Sequence, residues 1–317
     1  KCGRMRYLAE LKEGELIKEI YLCKKLQTLK TKAGKSYYSL TLQDKTGVAD
    51  AKVWELGAGI EHFDVMDYIF IDGQVTSFQG AMQLNIKRVR KCQEGEYDPA
   101  DYMPMTTRNI EEMYQEFLGV VSMVKEPHLQ ELLQSFFVAD KDFVARFKRH
   151  SAAKAVHHGF IGGLLEHTLG VAKMCAFMAD SYPLLNKDLL LTAAMFHDIG
   201  KMDEISPFPE NDYTDDGNLL GHIYIGASLV SARCRSIEGF SKRMEGELIH
   251  CILAHHGELE YGSPKKPALA EALALYISDN ADAKMETLKE IFSSADAKLE
   301  WVGYQRLLES NLKRTLL

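Results

Sequence analysis

Seven histidines and aspartates are spread through the C-terminal half of this 317-residue chain: His167, then His197 and Asp198 inside HDIGK, then His222, the pair His255 and His256, and Asp279. Imidazole and carboxylate together suit Mn²⁺, Fe²⁺ or Zn²⁺, and the lack of a nearby cysteine pair argues against a thiolate zinc site. Asp198 has two oxygens and can bridge two ions. His167, His197 and Asp279 would then complete one shell, and His222, His255 and His256 the other. Two such ions lower the pKa of a shared water from about 15.7 toward about 7, which makes hydroxide available at neutral pH. Lys201 follows His197 by four residues, one helical turn, so it is expected on the same side with its cation placed to hold a phosphate oxygen. Any one of these histidines alone is as well explained as a satisfied core residue. The ordered series carries the reading.

That order, H…HD…H…HH…D with a lysine three residues after the first aspartate, resembles the two-metal variant of the HD superfamily of metal-dependent phosphohydrolases. The apolar run LLLTAAMF leading into His197 reads as a buried helix that would carry the pair inward.

Composition fits such an enzyme. At 46% hydrophobic the chain can build real cores, and its length suggests about two domains. No apolar run approaches the roughly twenty residues that span a bilayer, so no membrane is expected. The opening KCGRMRYLAELKEG lacks the apolar stretch of a secretion signal, and Met5 reads as the native start. None of the six cysteines shows C-x-x-C spacing, which suits free thiols in a cytoplasm.

Charge divides the chain. Residues 1–95 hold 16 Lys and Arg against 12 Asp and Glu, a net of +4, so the rest must carry −11 of the overall −7. A turn-rich stretch with Pro99 and Pro104 follows, and we read 93–106 as a linker between domains at 5–92 and 107–317. The first domain has the pattern of five strands: Leu16 to Leu29, Tyr37 to Gln43, Gly47 to Trp54, Tyr68 to Phe78 and Ala81 to Val89. DKTG and QG mark turns, and EHFD is expected to form a short helix after the third strand. Five strands with that insertion predict an all-β OB-fold barrel. Beyond the linker, apolar residues recur at three-and-four spacing through eight segments, among them FVARFKRHSAAKAV and ALAEALALYISDNADAKMETL, which predicts an all-α bundle.

An OB-fold reads single strands with aromatics that stack bases and cations that follow phosphates. Alternation places Tyr38, Leu40 and Leu42 inward and Tyr37 outward, while Lys52 and Trp54 share the outer face of the next strand. Tyr37, Lys52 and Trp54 are therefore candidate strand contacts, with Lys24, Lys25, Lys30, Lys32, Lys35, Lys87, Arg88, Arg90 and Lys91 as a basic surround. An OB-fold can equally serve as a protein-interaction module.

A basic OB-fold followed by AAKAVHHGFIGGLLEHTLGV, FHDIGK, AHHGELEYGSPKKP and SDNADAKM resembles the YhaM-type 3′-to-5′ exoribonucleases over essentially the whole chain from Met5. The resemblance implies a Mn²⁺-dependent enzyme that releases 5′-mononucleotides from the 3′ end of single-stranded RNA, and of DNA as a further substrate. It implies the same seven ligand positions and brings in His157, His158, Asp282 and Lys284 at the substrate end of the site. A homo-oligomer is left open. The alternative is an HD-type phosphodiesterase of cyclic dinucleotides or small nucleotides. Against the first stands Gly257, where that group's HHExxDGxGYP signature has a glutamate. A non-catalytic binding protein would be expected to have lost a ligand, and none is missing.

Overall fold

The computed structural model describes residues 5–154, 158–295 and 299–315. It divides into two compact units, one reaching to Met105 and including Phe208–Glu210, the other containing Thr106–Pro207 and everything from Asn211 onward.

The first unit is a closed five-stranded barrel. Its strands are β1 (Leu16–Lys30), β2 (Ser36–Asp44), β3 (Gly47–Val53), β4 (Tyr68–Phe78) and β5 (Ala81–Lys91), in the order β1-β2-β3-β5-β4. All neighbours are antiparallel except β3 and β5, the parallel pair that closes an OB-fold. Alternation works as expected: Leu40 and Leu42 of β2 and Ala49, Ala51 and Val53 of β3 point into the barrel, where they meet Ile17, Ile69, Ile71 and Leu84. Gln79 and Gly80 both have positive φ, the conformation that a two-residue hairpin turn between twisted strands requires.

Residues 54–67 form no helix. They are turns with one bridge from Ile60 to Val89, and Phe63 is buried beside Tyr38 with ring centroids 6.0 Å apart. EHFD is too short to nucleate a helix, and its one large apolar side chain is more stable in the barrel. The stretch read as a linker packs on the barrel. Tyr97 stacks on Tyr68 at 3.8 Å, Tyr102 meets the same ring edge-on, and Gln43 Nε2 donates to the Tyr102 carbonyl at 3.1 Å.

The second unit is built on α1 (Ile110–Val121), α2 (Pro127–Gln134), α3 (Lys141–Arg149), α4 (Gly163–Ser181), α5 (Lys187–Phe196), α6 (Lys201–Glu204), α7 (Asp215–Leu219), α8 (Gly221–Ser236), α9 (Lys242–Leu253) and α10 (Ala270–Ser294). Helix α5 lies at the centre. Every residue from Leu189 to Phe196 is buried, so a helix apolar all round is the stable choice there. Helix α3 stops at Arg149 rather than running on through Ser151–Lys154: His150 is already extended, and Ala152 and Leu164 bond instead to the carbonyls of His158 and His150, while Ala155 and Val156 of the expected helix lie outside the described residues.

The unit is also not wholly helical. A hairpin of β6 (Trp301–Gln305) and β7 (Ser310–Lys313) follows α10, held by Arg314, whose guanidinium donates to the Phe292 carbonyl at 2.7 Å. Two strands of five and four residues give too short an alternation to stand out in sequence. Among the described residues no helix is long and apolar enough to cross a membrane.

Candidate active site and its metal ligands

Helix α5 delivers His197 and Asp198 to the middle of the second unit, with His197 at most 1% exposed and Asp198 the same. Helix α4 brings His167, α8 brings His222, the turn after α9 brings His255 and His256, and α10 brings Asp279. All seven meet. Asp198 Oδ2 is 3.3 Å from His167 Nε2 and 3.4 Å from His197 Nε2, while its other oxygen is 3.4 Å from His222 Nε2 and 3.5 Å from His255 Nε2. Asp279 Oδ1 stands 3.1 Å from His167 Nε2. Donor atoms of His167, His197 and Asp279 form one tight triad, and those of His222, His255 and His256 a second.

The outward side of each ring is tied down. Nδ1 of His197 lies 2.7 Å from the Ala194 carbonyl, that of His255 2.6 Å from Ile252, and that of His256 2.9 Å from Tyr261. Carboxylates take the other two: Asp282 accepts from His167 Nδ1 at 2.7 Å and Glu204 from His222 Nδ1 at 3.0 Å. When a ring is neutral with its proton on Nδ1, its Nε2 directs a lone pair at the centre, as ligand histidines require. Asp198 Oδ1, His222 Nε2 and His255 Nε2 are moreover buried with no hydrogen-bond partner. Orphaned acceptors around a shared carboxylate are costly in a folded protein unless an ion satisfies them, so the residues fit divalent metals.

Two glycines make the approach possible. A Cβ on Gly200 of HDIGK would come within 2.0 Å of the His222 carbonyl, so only glycine lets this turn rest on α8. A Cβ on Gly170 would strike Asp282 Oδ1 at 2.3 Å and keep it from His167.

Electrostatics follow from the crowding. Burial opposes charge on Asp198, but Lys201 and the histidines outweigh it and hold the carboxyl well below the usual range. Burial likewise opposes the His167 cation, yet Asp198, Asp279 and Asp282 raise its pKa well above that of free imidazole. Burial keeps His255 and His256 low. The triads thus differ: one centres on a proton-holding imidazole, and the other contains two that stay neutral.

Lys201 does face the centre, though not along a continuous helix, because α5 ends at Phe196 and α6 begins at Lys201 itself. Its Nζ is 2.7 Å from Asp198 Oδ2, and that carboxylate holds its pKa up against the cost of burial. His158 is buried with Nε2 3.0 Å from Asp282, so it stands behind His167 in a His158–Asp282–His167 chain. His157 lies outside the described residues. Lys284 is exposed on α10, lining a groove that reaches Asp279 and His256. Sequence reasoning missed Glu204. Its only signal was a carboxylate one turn after HDIGK.

On the barrel, Tyr37 and Trp54 stack on each other, with centroids 4.6 Å apart, so they form one aromatic surface and not two separate platforms. Lys52 Nζ is taken up by Ser39 Oγ at 2.7 Å and Asp50 at 3.0 Å. Lys35, Arg90 and Lys91 pair with Glu55, Glu96 and Asp67, whereas Lys25, Lys30, Lys32, Lys87 and Arg88 are exposed and make no ion pair among the described residues.

The HD-domain family model matches residues 164–284, which contain all seven ligand positions. A 3′-5′ exoribonuclease YhaM from Geobacillus sp. (strain WCH70) is 34% identical over 257 residues, 80% of this chain and 78% of that one. Among solved structures, the second OB-fold domain of replication protein A from Methanococcus maripaludis is 15% identical, covering 29% of this chain and 98% of that one with a TM-score of 0.24. The OB domain of a Thermoplasma acidophilum protein is 14% identical, covering 31% and 93% with a TM-score of 0.24. The HD domain implies divalent-metal binding, and together with the exoribonuclease relative it makes the chain a hydrolase of phosphodiester bonds. The chain belongs to the YhaM family of 3′-5′ exoribonucleases.

Proposed function

We propose that this protein shortens single-stranded RNA from its 3′ end, accepts single-stranded DNA, and releases nucleoside 5′-monophosphates using two divalent ions, manganese in the cell. The observation that carries the reading is Asp198, whose two buried oxygens each face a separate set of histidines. His167, His197 and Asp279 would hold one ion and His222, His255 and His256 the other, with Asp198 shared. Ions held there would neutralise phosphoryl oxygens and acidify a water.

The chain's own groups do the rest. Lys201, kept charged by Asp198, supplies a fixed cation beside the scissile phosphate. Asp282 and Glu204 hold His167 and His222 in the tautomer that points Nε2 inward. Water oxygen joins phosphorus, the bond to O3′ of the preceding nucleotide breaks, and that oxygen takes up a proton given up by the water to become the new 3′-hydroxyl. Residues 5–92 supply affinity for the strand, 93–106 join the domains, and 107–317 carry the chemistry. We assign the enzyme to the cytoplasm, in keeping with five unpaired, buried cysteines among the described residues.

The test is a 5′-labelled single strand incubated with Mn²⁺, resolved by length, with the released species identified by chromatography. A one-nucleotide ladder and nucleoside 5′-monophosphates are expected. Nucleoside 3′-monophosphates, or cuts in a circular strand, would rule the reading out, and linearisation of a cyclic dinucleotide with strands untouched would favour the other HD class.

A further inference from the structure

The groove that reaches the metal ligands has a volume of about 1190 Å³, more than a single small ligand usually fills. Its floor is one face of α10. Tyr276, Asp279, Asn280, Ala283 and Lys284 all line it, at the three-and-four spacing that keeps residues on one side of a helix. Its opposite wall is the turn of the β6–β7 hairpin, from Arg306 to Glu309. The groove is therefore lined both by Asp279 and His256 and by the hairpin turn.

Two features mark what it would take. Lys284 and Arg306 are exposed, and neither makes an ion pair among the described residues, although the chain as a whole is acidic and Lys201 at the centre is paired with Asp198. Among the described residues, Glu309 is the one carboxylate lining the groove apart from Asp279, which the metals would neutralise. The lining also includes two tyrosines, Tyr276 and the 64% exposed Tyr261. The Tyr276 ring rests on Gly257: a Cβ there would lie 2.5 Å from the ring, and a φ of +78° disfavours any other residue. The glycine that replaces the cyclic-dinucleotide signature's glutamate thus makes room for an aromatic ring next to His256.

Resting on the exonuclease reading above, we infer that this groove seats the last nucleotides of the strand, with Tyr276 stacking on the 3′-terminal base and Arg306 of the hairpin turn, aided by Lys284, holding phosphates upstream of the scissile one. The hairpin is then a positioning element that sets how much strand must be present for tight binding. Terminal base and upstream backbone are gripped in one groove.

Fluorescence anisotropy of a 5′-fluorescein single-stranded RNA octamer, titrated with the full chain in EDTA so that nothing is cut, tests this. Arg306→Gln should weaken binding several-fold and make the salt slope shallower by about 0.7, while Arg306→Lys retains the slope. Tyr276→Leu should weaken binding by roughly 5- to 150-fold, with Tyr276→Phe close to wild type. The same order should appear in KM for the octamer with Mn²⁺. Arg306 is exposed, so an unchanged melting temperature will certify the fold of that variant. Wild-type affinity and slope in Arg306→Gln, in a protein whose parent shortens strands, would overturn the groove assignment alone. A parent that leaves strands intact would overturn the exonuclease reading, and this one with it.

Discussion

One oxygen of Glu204 stands 3.0 Å from both the main-chain nitrogen and the ring Nδ1 of His222. The carboxylate caps the first turn of α8 and fixes the orientation of the imidazole at once. Glu204→Ala should free the ring and lower metal affinity at the His222, His255 and His256 position by roughly 10- to 100-fold, leaving the other position tighter. Calorimetric titration with Mn²⁺ should then resolve two unequal steps; two wild-type steps would show that Glu204 does not orient the ligand.

Asp198→Asn keeps the side-chain shape but removes the charge that both triads share. Metal content measured after gel filtration should fall from about two equivalents toward none, with hydrolysis lost in parallel. Retention of both ions would refute the bridging role.

Proton release should tell the two triads apart. His167 has a raised pKa and carries a proton at neutral pH in the metal-free protein, so an ion must displace it; His255 and His256 have lowered values and are already neutral. Affinity at the His167 triad should therefore rise with pH until the raised pKa is passed, and affinity at the other should be flat over the same range above pH 7. Titrations in two buffers of different ionisation enthalpy measure the protons released. Equal release at both steps would contradict the asymmetry.

Acid should loosen α10 from α4. Burial raises the Asp282 pKa, but the bonds from His158 and His167 more than offset that and depress it to about 2. A depressed carboxylate gives stability that is present above the unfolded value near 3.8 and lost as pH falls toward about 2. Asp282→Asn should remove most of that dependence, read as a flatter melting temperature between about pH 4 and pH 2.

The stacked pair Tyr37 and Trp54 offers one exposed ring face to a base. Trp54→Ala should weaken single-strand binding by roughly 5- to 150-fold, since one stacked base is worth about 1 to 3 kcal/mol. Oligonucleotide titration beside thermal unfolding checks this. A destabilised variant with intact affinity would assign the pair to structure.

The convergence of the seven candidate ligands was legible in the sequence because each position is a residue type with few other buried uses, and their order survives wherever the chain folds them. Strand alternation and helix periodicity were legible for the same local reason: β4 begins and ends where the pattern of Tyr68 to Phe78 does. Tertiary structure alone decided which oxygen of Asp198 serves which triad, that Asp282 and Glu204 stand behind His167 and His222, and that Tyr37 lies on Trp54. These are contacts between residues 17 to 115 positions apart, and no local periodicity encodes them. The hairpin after α10 and the buried Phe63 where a helix was expected were decided the same way, since short segments take the conformation that buries or pairs them against the rest of the fold rather than the one their own residues prefer.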